Sequence, residues 1–552
     1  MRIQSKGQSI EEQGRNEANT VGRKRVESEQ GNLPGCGSTA RSSSAEESVA
    51  KKAEETGGGK PRYEAINREQ LCWRAVDVER LIGEEHAARA IWGFVGRLDL
   101  SGYDEEVRAV EGKAGRPGWE PRLLISLWVY AYSEGVGSAR AIEQLCEWEP
   151  AYQWLTGATV VNAHTLSDFR VKHEKALKAL FVQVLGLLSA DGLIVLERVM
   201  QDGTKIRAKA AQDSFRRKER VEQALKQAVE QVAGVEAMSE EETSRRISKA
   251  RSRAQRERQQ RLEQALEEFE KLAEEGGGKD KENRRVSTSD PQARIMKQAD
   301  GGFAPSYNVQ INTDAANAVV VAVGVVQAGN DFEQLEPGVD RVEQNLGKTP
   351  DQVVTDGGFV SRDNIVGMKE RGVDFIGPCG DEAGKGKSSY EGRGVSAQYH
   401  SSQFVYDEAT DSYRCPQGKI LFYEGREQRH TQVSYRYRAQ RSDCQGCPVK
   451  SQCCPGNRVT GRSVHRSEEI AEVAEFRQRM QSEQAREIYR QRAQVAETPN
   501  LWIKAKFGLR QFSVRGLSKV GMEALWACLT YNIRVWIRLR WRQPAEVATV
   551  PA

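Results

Sequence analysis

Two aspartates occupy matching points in the chain. Asp202 closes the run Leu193-Ile-Val-Leu-Glu-Arg-Val-Met-Gln201, and Asp356 closes Gln352-Val-Val-Thr355. Each run reads as a strand ending in an acid, and open α/β sheets bind ligands at such strand ends. Gly357-Gly358 follow Asp356, so the backbone there can turn sharply and let a substrate approach. A third acid, Glu497, is expected near the start of a helix. Two aspartates from strands and a glutamate from a helix could hold two divalent ions roughly 3.5–4 Å apart. Such ions prefer oxygen ligands, activate water and stabilise both oxygens of an in-line phosphoryl displacement. Against this, a chain with 78 acidic residues offers many such triples by chance. Lys504 lies seven residues after Glu497, hence on the same helix face about 10 Å away. Pro499 requires that helix to begin at about Glu497 or to kink there. At a helix start the positive dipole end would help keep Glu497 ionised.

A second constellation is made of thiols. Cys415, Cys444, Cys447 and Cys453 fall within 39 residues, with Cys454 beside the last. Cys444-x2-Cys447 has knuckle spacing, and the set suits a closed tetrahedral Zn²⁺ site, with Cys453 or Cys454 as fourth ligand. A structural role is expected, since a small β insertion lacks the core to fold alone. A redox pair is disfavoured because no thioredoxin-like βαβ unit surrounds it. Of Cys36, Cys72, Cys146, Cys379 and Cys528, all isolated, the last four are read as buried small apolar residues.

A third is basic and aromatic. Residues 501–545 hold nine Lys and Arg against one acid, Glu523, interleaved with Trp502, Phe507, Phe512, Trp526, Tyr531, Trp536 and Trp541. That composition suits a phosphate-tracking surface with stacking platforms. Trp526, Tyr531 and Trp536 fall on the core face of a helix Met522–Arg540 and are assigned to packing. Lys504, Lys506, Arg510 and Arg515 are left for DNA.

The elements that must position these groups follow from the hydrophobic pattern. Residues 1–60 are Ser-, Gly- and charge-rich and read as disordered. A helical pattern follows to about Leu188. Arg122–Tyr132 is apolar on most sides and should be a buried helix. Ser138 caps the next helix, which Pro150 ends. Thr165–Arg170 opens another that runs past Lys178 and carries Arg170, Lys172, His173, Lys175 and Lys178. This is either a helix-turn-helix-like DNA reader or an ordinary bundle with a solvated basic face. Residues 215–280 are almost wholly Glu, Lys, Arg, Gln and Ala with spaced apolar positions: a long helix or helical hairpin, ended by Gly276-Gly-Gly278. The hairpin is taken as a solvated one in preference to a dimerisation element or a DNA-end clamp. Tyr307–Thr313 and Ala318–Val326 read as strands, the second central and buried on both faces. A helix Asp331–Gln344, a short strand Asp374–Ile376, β-like pieces over 380–465 and a charged helix Ser467–Gln494 complete the series.

Composition narrows the class. The 552 residues carry 82 Lys and Arg against 78 Asp and Glu, a net charge of +4, so any nucleic-acid surface must be local. Mean hydropathy of −0.65 suggests polar appendages beside a real core. No run reaches the roughly 18 apolar residues of a membrane span, and Met1–Gly58 has no signal-peptide pattern. A soluble, cytoplasmic, nucleoid-associated protein is expected.

Several strings, in order, resemble DDE transposases of bacterial insertion sequences. Gln201-Asp-Gly-Thr-Lys-Ile-Arg-Ala-Lys-Ala210 is similar to the family's first-acid segment, and Val354-Thr-Asp-Gly-Gly-Phe359 to its second. Ser289–Lys297 with Pro305-Ser-Tyr-Asn-Val-Gln310 resembles the connection between its first strands. Glu497-Thr-Pro-Asn-Leu-Trp-Ile-Lys504, Phe512–Val520 and Tyr531-Asn-Ile533 resemble the third-acid region. Asn67–Gln70, His86–Arg89 and His164–Arg170 resemble the N-terminal domain. The chain departs from the family at Asn500-Leu501, where a Phe-Gly pair is common, and in the Tyr489-x2-Arg492 spacing, one residue longer before Glu497.

The resemblance implies an α/β fold with an RNase H-like core carrying a helical and a Cys-rich β insertion, preceded by an all-α N-terminal domain. The expected boundaries are a tail at 1–60, a helical DNA-binding domain at 61–190, core at 191–214 and 286–378, and a helical insertion at 215–285. A Cys-rich insertion follows at 379–470, C-terminal core helices at 471–545 and a tail at 546–552. It further implies metal-dependent cleavage at element ends and strand transfer into target DNA. Asp202, Asp356 and Glu497 would bind two Mg²⁺ or Mn²⁺ ions, and Cys415, Cys444, Cys447 and Cys453 a Zn²⁺. Terminal inverted repeats and target DNA are the expected partners, with a homodimer in the DNA complex and no membrane contact. Lys504 would orient a phosphate, and Arg170 and Lys172 would read end DNA. An inactive transposase-derived DNA-binding protein and a plain metal-dependent nuclease are the alternatives.

Overall fold

In the computed structural model the chain falls into two units, Met1–Arg74 and Ala75–Ala552. Described are Arg68, in the first unit, and in the second residues 75–106, 117–237, 245–275, 284–378, 392–429, 432–455, 460–467 and 470–541. The expected tail at 1–60 lies outside them, as do Cys36, Cys72 and Cys379. No helix among the described residues is long and apolar enough to cross a membrane.

The second unit opens with helices α1 (Ala87–Val95), α2 (Pro121–Ser133), α3 (Ala139–Trp148), α4 (Pro150–Thr156), α5 (Ala163–Lys172) and α6 (Glu174–Ala190). Helix α2 is buried over Leu124–Tyr132, as its apolar run requires. Ser138 caps α3 by accepting from the Ala141 N–H. Pro150 begins α4 rather than merely ending α3, its missing N–H being no loss at a first helical position. The single helix expected from Thr165 past Lys178 is two helices. His173, at φ −98° and ψ 56°, leaves helical geometry between them.

A six-stranded sheet follows. Its strands are β1 (Arg198–Arg207), β4 (Arg294–Lys297), β5 (Phe303–Asp314), β6 (Val320–Val326), β7 (Gln352–Val354) and β8 (Asp374–Ile376). β5 pairs antiparallel with β1, β4 and β6; β7 lies parallel to β1, and β8 to β7. Helices α9 (Leu335–Leu346) and α10 (Arg362–Glu370) make the crossovers into β7 and β8. Asp202 is in the middle of β1, not at its end, because the ladder with β5 runs from Val199 to Arg207. Its parallel neighbour stops sooner: the β1–β7 register ends at Met200 opposite Val354. β6 is an edge strand, not the central one its apolar sequence suggested. Helical asparagines cover its outer edge. Asn532 donates to Val320 O (2.7 Å) and accepts from Val320 N (2.9 Å), and Asn345 donates to Val321 O (2.9 Å).

Between β1 and β5 the chain forms the short pair β2 (Phe215–Arg216) and β3 (Val286–Ser287) and, between them, a hairpin of α7 (Lys218–Ala237) and α8 (Arg245–Glu275). Val221, Ala228, Leu262, Ala265, Phe269 and Val286 close its seam. Gly276–Gly278, expected to end it, lie outside the described residues. After β8 comes a five-stranded antiparallel sheet: β9 (Val405–Asp407), β10 (Ser412–Arg414), β11 (Ile420–Arg429), β12 (Gln432–Ala439) and β13 (Ser463–Ser467), in the order β13-β12-β11-β10-β9. Two short helices between β12 and β13, α11 (Arg441–Gln445) and α12 (Lys450–Cys453), carry Cys444 and Cys453.

The charged helix expected over Ser467–Gln494 is divided into α13 (Ala471–Met480) and α14 (Glu483–Leu501), the second capped by Ser482. α14 runs through Pro499 into a π-helical turn, Trp502–Lys506. Glu497 is therefore toward the end of a helix, not at its start, and lacks the expected support of the positive dipole end. Last comes α15 (Leu517–Trp536), buried along most of its length. Trp526, Tyr531 and Trp536 are in its core face, as expected. One apolar cluster takes in Ile91, Trp128, Phe181, Val320 and Trp526, so the N-terminal helices, the sheet and α15 share a core.

Candidate active site

Asp202 and Asp356 come together because β1 and β7 are parallel neighbours. Asp356 follows the end of β7, and its Oδ1 accepts from the Gly358 N–H at 2.7 Å, which fixes the turn. Helix α14 lies across the pair. Arg492 Nη2 donates to Asp202 Oδ1 at 2.7 Å and stands 3.9 Å from Asp356 Oδ2. Asn500 Nδ2 donates to Asp202 Oδ2 at 2.7 Å. Arg492, Ala496 and Asn500 are four apart in sequence, hence on one face of the helix. Both oxygens of Asp202 are thus held, in a partly buried setting. Burial pushes the Asp202 carboxyl up to about 6; Arg492 opposes that, and the charges of Asp356 and Asp331 add to it. Burial likewise lowers the Lys504 ammonium, with Asp202 opposing, so Lys504 belongs to the same group.

Asp331 was not singled out in the sequence. It precedes α9, and its Oδ1 accepts from Asn308 Nδ2 at 2.8 Å and Gln310 Nε2 at 2.6 Å. A Cβ on Gly203 would overlap this carboxylate, and a Cβ on Gly358 would stand 2.9 Å from Asp356 Oδ1 and 3.7 Å from Asp331 Oδ2. The two glycines beside the expected acids therefore make room for a third. The signal lay in β5. Asn308, Gln310 and Asn312 alternate on one face of a strand buried from Pro305 to Asp314, and buried polar groups need partners.

Glu497 is exposed, one turn beyond Arg492 on α14. Among the described residues no hydrogen bond or ion pair ties it to Asp202 or Asp356. The sequence expectation brought these three together; the structure brings together Asp202, Asp356, Asp331, Arg492, Asn500 and Lys504. Nor does any group of three or more His, Cys, Asp or Glu among the described residues stand at metal-holding geometry. A guanidinium occupies the space between the two aspartates where a cation would sit.

The thiols converge more loosely. Cys444 is pushed up by burial, and the charges of Cys454, Cys447 and Cys415 all act on it. Backbone N–H groups point at two sulfurs, Lys419 at Cys415 Sγ (3.2 Å) and Arg462 at Cys444 Sγ (3.3 Å). Cys453 and Cys454 are 3.9 Å apart at sulfur; their shared contact raises the first thiol and lowers the second. Cys146 and Cys528 are buried.

The basic residues separate. Arg510 and Arg515 are exposed, their Nε atoms donating to Lys504 O (3.3 Å) and Lys209 O (3.1 Å). Lys506 is exposed and stacks its ammonium 3.9 Å from the Trp502 ring centre. Lys172 is exposed and pairs with Asp168. Arg170 does not face solvent. It is 5% exposed, over the Trp128 ring, donating to Gly137 O at 2.9 Å and paired with buried Glu523 at 3.5 Å. This corrects its assignment to DNA: a basic helix looks solvated until the distant acid that claims one of its charges is in view.

Residues 414–537, which supply α14 and α15, match a family model described as a transposase DDE domain. Residues 76–172, spanning α1 to α5, match one described as a transposase domain. Two segments of the chain are thus similar to transposase domains. No curated protein and no solved structure matches it. The DDE match takes in Arg492, Glu497, Asn500 and Lys504 but starts after Asp202 and Asp356. The two matched transposase segments meet at the Arg170–Glu523 pair. A transposase DDE domain implies DNA as substrate, phosphoryl transfer as reaction and divalent metal as cofactor.

Proposed function

We propose that the chain is the DDE transposase of a bacterial insertion sequence, with an RNase H-like core. Supporting the core is the strand order. Numbering the five core strands along the chain, the sheet β6-β5-β1-β7-β8 reads 3-2-1-4-5, with the first three antiparallel and the last two parallel to the first. The observation that carries the activity is Asp202 on β1 and Asp356 just past the end of its parallel neighbour β7, with the single guanidinium of Arg492 reaching both.

In this reading Asp202, Asp356 and Glu497 hold two Mg²⁺ or Mn²⁺ ions, which when bound supply water activation and charge neutralisation for in-line phosphodiester displacement. The donors fit hard cations: carboxylate oxygens, without thiol or imidazole. Arg492 keeps the two aspartates together in the metal-free chain, and Asn500 fixes the plane of the Asp202 carboxylate. Lys504, partly desolvated beside Asp202, binds a backbone phosphate. Cleavage at the element end frees a 3′-hydroxyl, which then attacks target DNA. Cys415, Cys444 and Cys447, with Cys453 or Cys454, hold a structural Zn²⁺. The chain works as a homodimer on terminal inverted repeats, in the cytoplasm at the nucleoid.

Asp202→Asn, Asp356→Asn and Glu497→Gln should each abolish Mg²⁺-dependent cleavage of a labelled element end while leaving DNA binding intact, since each removes a charge at nearly constant shape. Retained cleavage in either aspartate variant refutes the reading. Retained cleavage in Glu497→Gln alone moves the third-ligand role to Asp331. Cutting without joining marks a nuclease instead.

A further inference from the structure

The root of the α7–α8 hairpin gathers positive charge that the sequence scatters. Arg216 and Arg220, near the start of α7, Arg258 and Arg261 on α8, and Arg515 before α15 line one cleft of about 570 Å³. The hairpin's apolar seam explains the juxtaposition: Val221 and Leu262 pack together, so the residues beside them must meet. Arg258 and Arg261 are three apart on one helix face. An adjoining hollow of about 460 Å³ shares Arg216 and Arg220 and adds Arg285.

Little neutralises this group. Among the described residues, Arg216, Arg220, Arg261 and Arg515 have no ion pair, and Arg258 bonds only the neutral Gln231. The acids near it are Glu257, beside Arg261, the buried Asp290, near Arg515, and Glu219, which lines the adjoining hollow with Arg216 and Arg220. Asp290 is already engaged by the Tyr307 hydroxyl and the Gly516 N–H. Burial and then the neighbouring charges of Arg515 and Arg258 lower the Arg261 guanidinium, the signature of like charges held close. Thr288 and Ser289 line the same cleft and add neutral hydroxyls. Like charges gathered this way cost stability unless an anion joins them, and arginine forks match phosphate oxygens bidentately.

We propose that this cleft is a binding site for the phosphodiester backbone of duplex DNA, built jointly by the helical hairpin and the loop before α15. It is continuous with the candidate active site through β1. The strand that carries Asp202 runs on to Arg207, and Lys209 O accepts from Arg515. Seven residues at roughly 3.3 Å each put the cleft about 23 Å from Asp202. A duplex laid across both spans about seven base pairs at 3.4 Å per step. The hairpin is thus a DNA-gripping arm and not the solvated appendage its composition suggested.

The inference rests on the DNA-processing reading, and the experiment separates the two. The full chain and the variant Arg216→Gln/Arg220→Gln/Arg261→Gln are titrated with labelled duplex DNA of random sequence between 50 and 200 mM salt. Three lost phosphate contacts should flatten the log–log salt slope by roughly 2.7, so the wild type should lose about 40-fold more affinity than the variant over that range. The control Lys226→Gln/Arg251→Gln, exposed on the same two helices and not lining the cleft, should flatten the slope by less than about 0.9. Circular dichroism and the thermal midpoint verify that the triple variant is folded. Wild-type binding to DNA with an unchanged slope in the triple variant overturns the cleft alone, as does an equal loss in the control. No DNA binding by the wild type overturns the functional reading itself. Should the triple variant not fold, Arg220→Gln alone should flatten the slope by about 0.9, and no change there is equally fatal.

Discussion

Replacing Arg170 by alanine should unfold the protein rather than blunt its DNA contacts. The Arg170 side chain is 6% exposed and that of Glu523 2%. Removing the arginine leaves a buried carboxylate whose remaining donors are the Ser513 N–H (2.9 Å) and hydroxyl (2.6 Å). Breaking such a pair from one side costs about 3–5 kcal/mol, and the lost stacking over Trp128 adds about 1 kcal/mol. The folding equilibrium should fall by at least about 100-fold, at 1.4 kcal/mol per tenfold. Arg170→Met with Glu523→Gln should recover most of this, since the amide still accepts from Ser513 and no charge is stranded. Urea unfolding followed by tryptophan fluorescence is the assay. Trp128 and Trp526 flank the pair, and Trp526 Nε1 donates to Arg170 O at 3.2 Å. Lys172→Ala, at an exposed site, is the control and should leave the midpoint where it is. An Arg170→Ala protein with the wild-type midpoint but weakened end-DNA binding would refute the burial argument and return Arg170 to the DNA surface.

Two further outcomes follow from the acidic cluster and from the thiols. Gly203→Ala drives a methyl into the Asp331 carboxylate and should cost about 1–3 kcal/mol; a stable, fully active variant would show that Asp331 is not part of the site. Elemental analysis of reduced protein should find about one zinc per chain, lost in Cys444→Ser/Cys447→Ser. One of Cys453→Ser and Cys454→Ser should lose it too, and the one that does identifies the fourth ligand, since both thiols interact with Cys444; loss in neither variant would remove both from the site.

What could be read before folding was local. Asp356 was visible because three short-range signals coincide there: an apolar strand, an acid and two glycines. The buried α2 and the capping by Ser138 were visible for the same reason. What escaped depends on distant partners. Asp331 acquires its place only when Asn308 and Gln310 on β5 hold it against Gly203 on β1. Arg170 was misread because Glu523 lies 353 residues away. β6 has a central strand's composition because helices cover the edge that would otherwise face solvent. The helix through Pro499 was misplaced because proline usually marks a helix start, whereas here the π turn that follows absorbs the irregularity.

The asparagine latch on β6 has a consequence for how the molecule is made. Val320 leaves the ribosome 212 residues before Asn532. At roughly 5–20 residues per second, that interval lasts about 10–40 s. Throughout it the Val320 end of the edge strand lacks its partner, while Asn345 can cover Val321 much sooner; an open strand end of this kind recruits other nascent strands. Closure waits for almost the last helix of the chain. Ribosome-bound intermediates should therefore be the most association-prone form of this protein, and chain release, rather than sheet formation, should be the event that makes it safe.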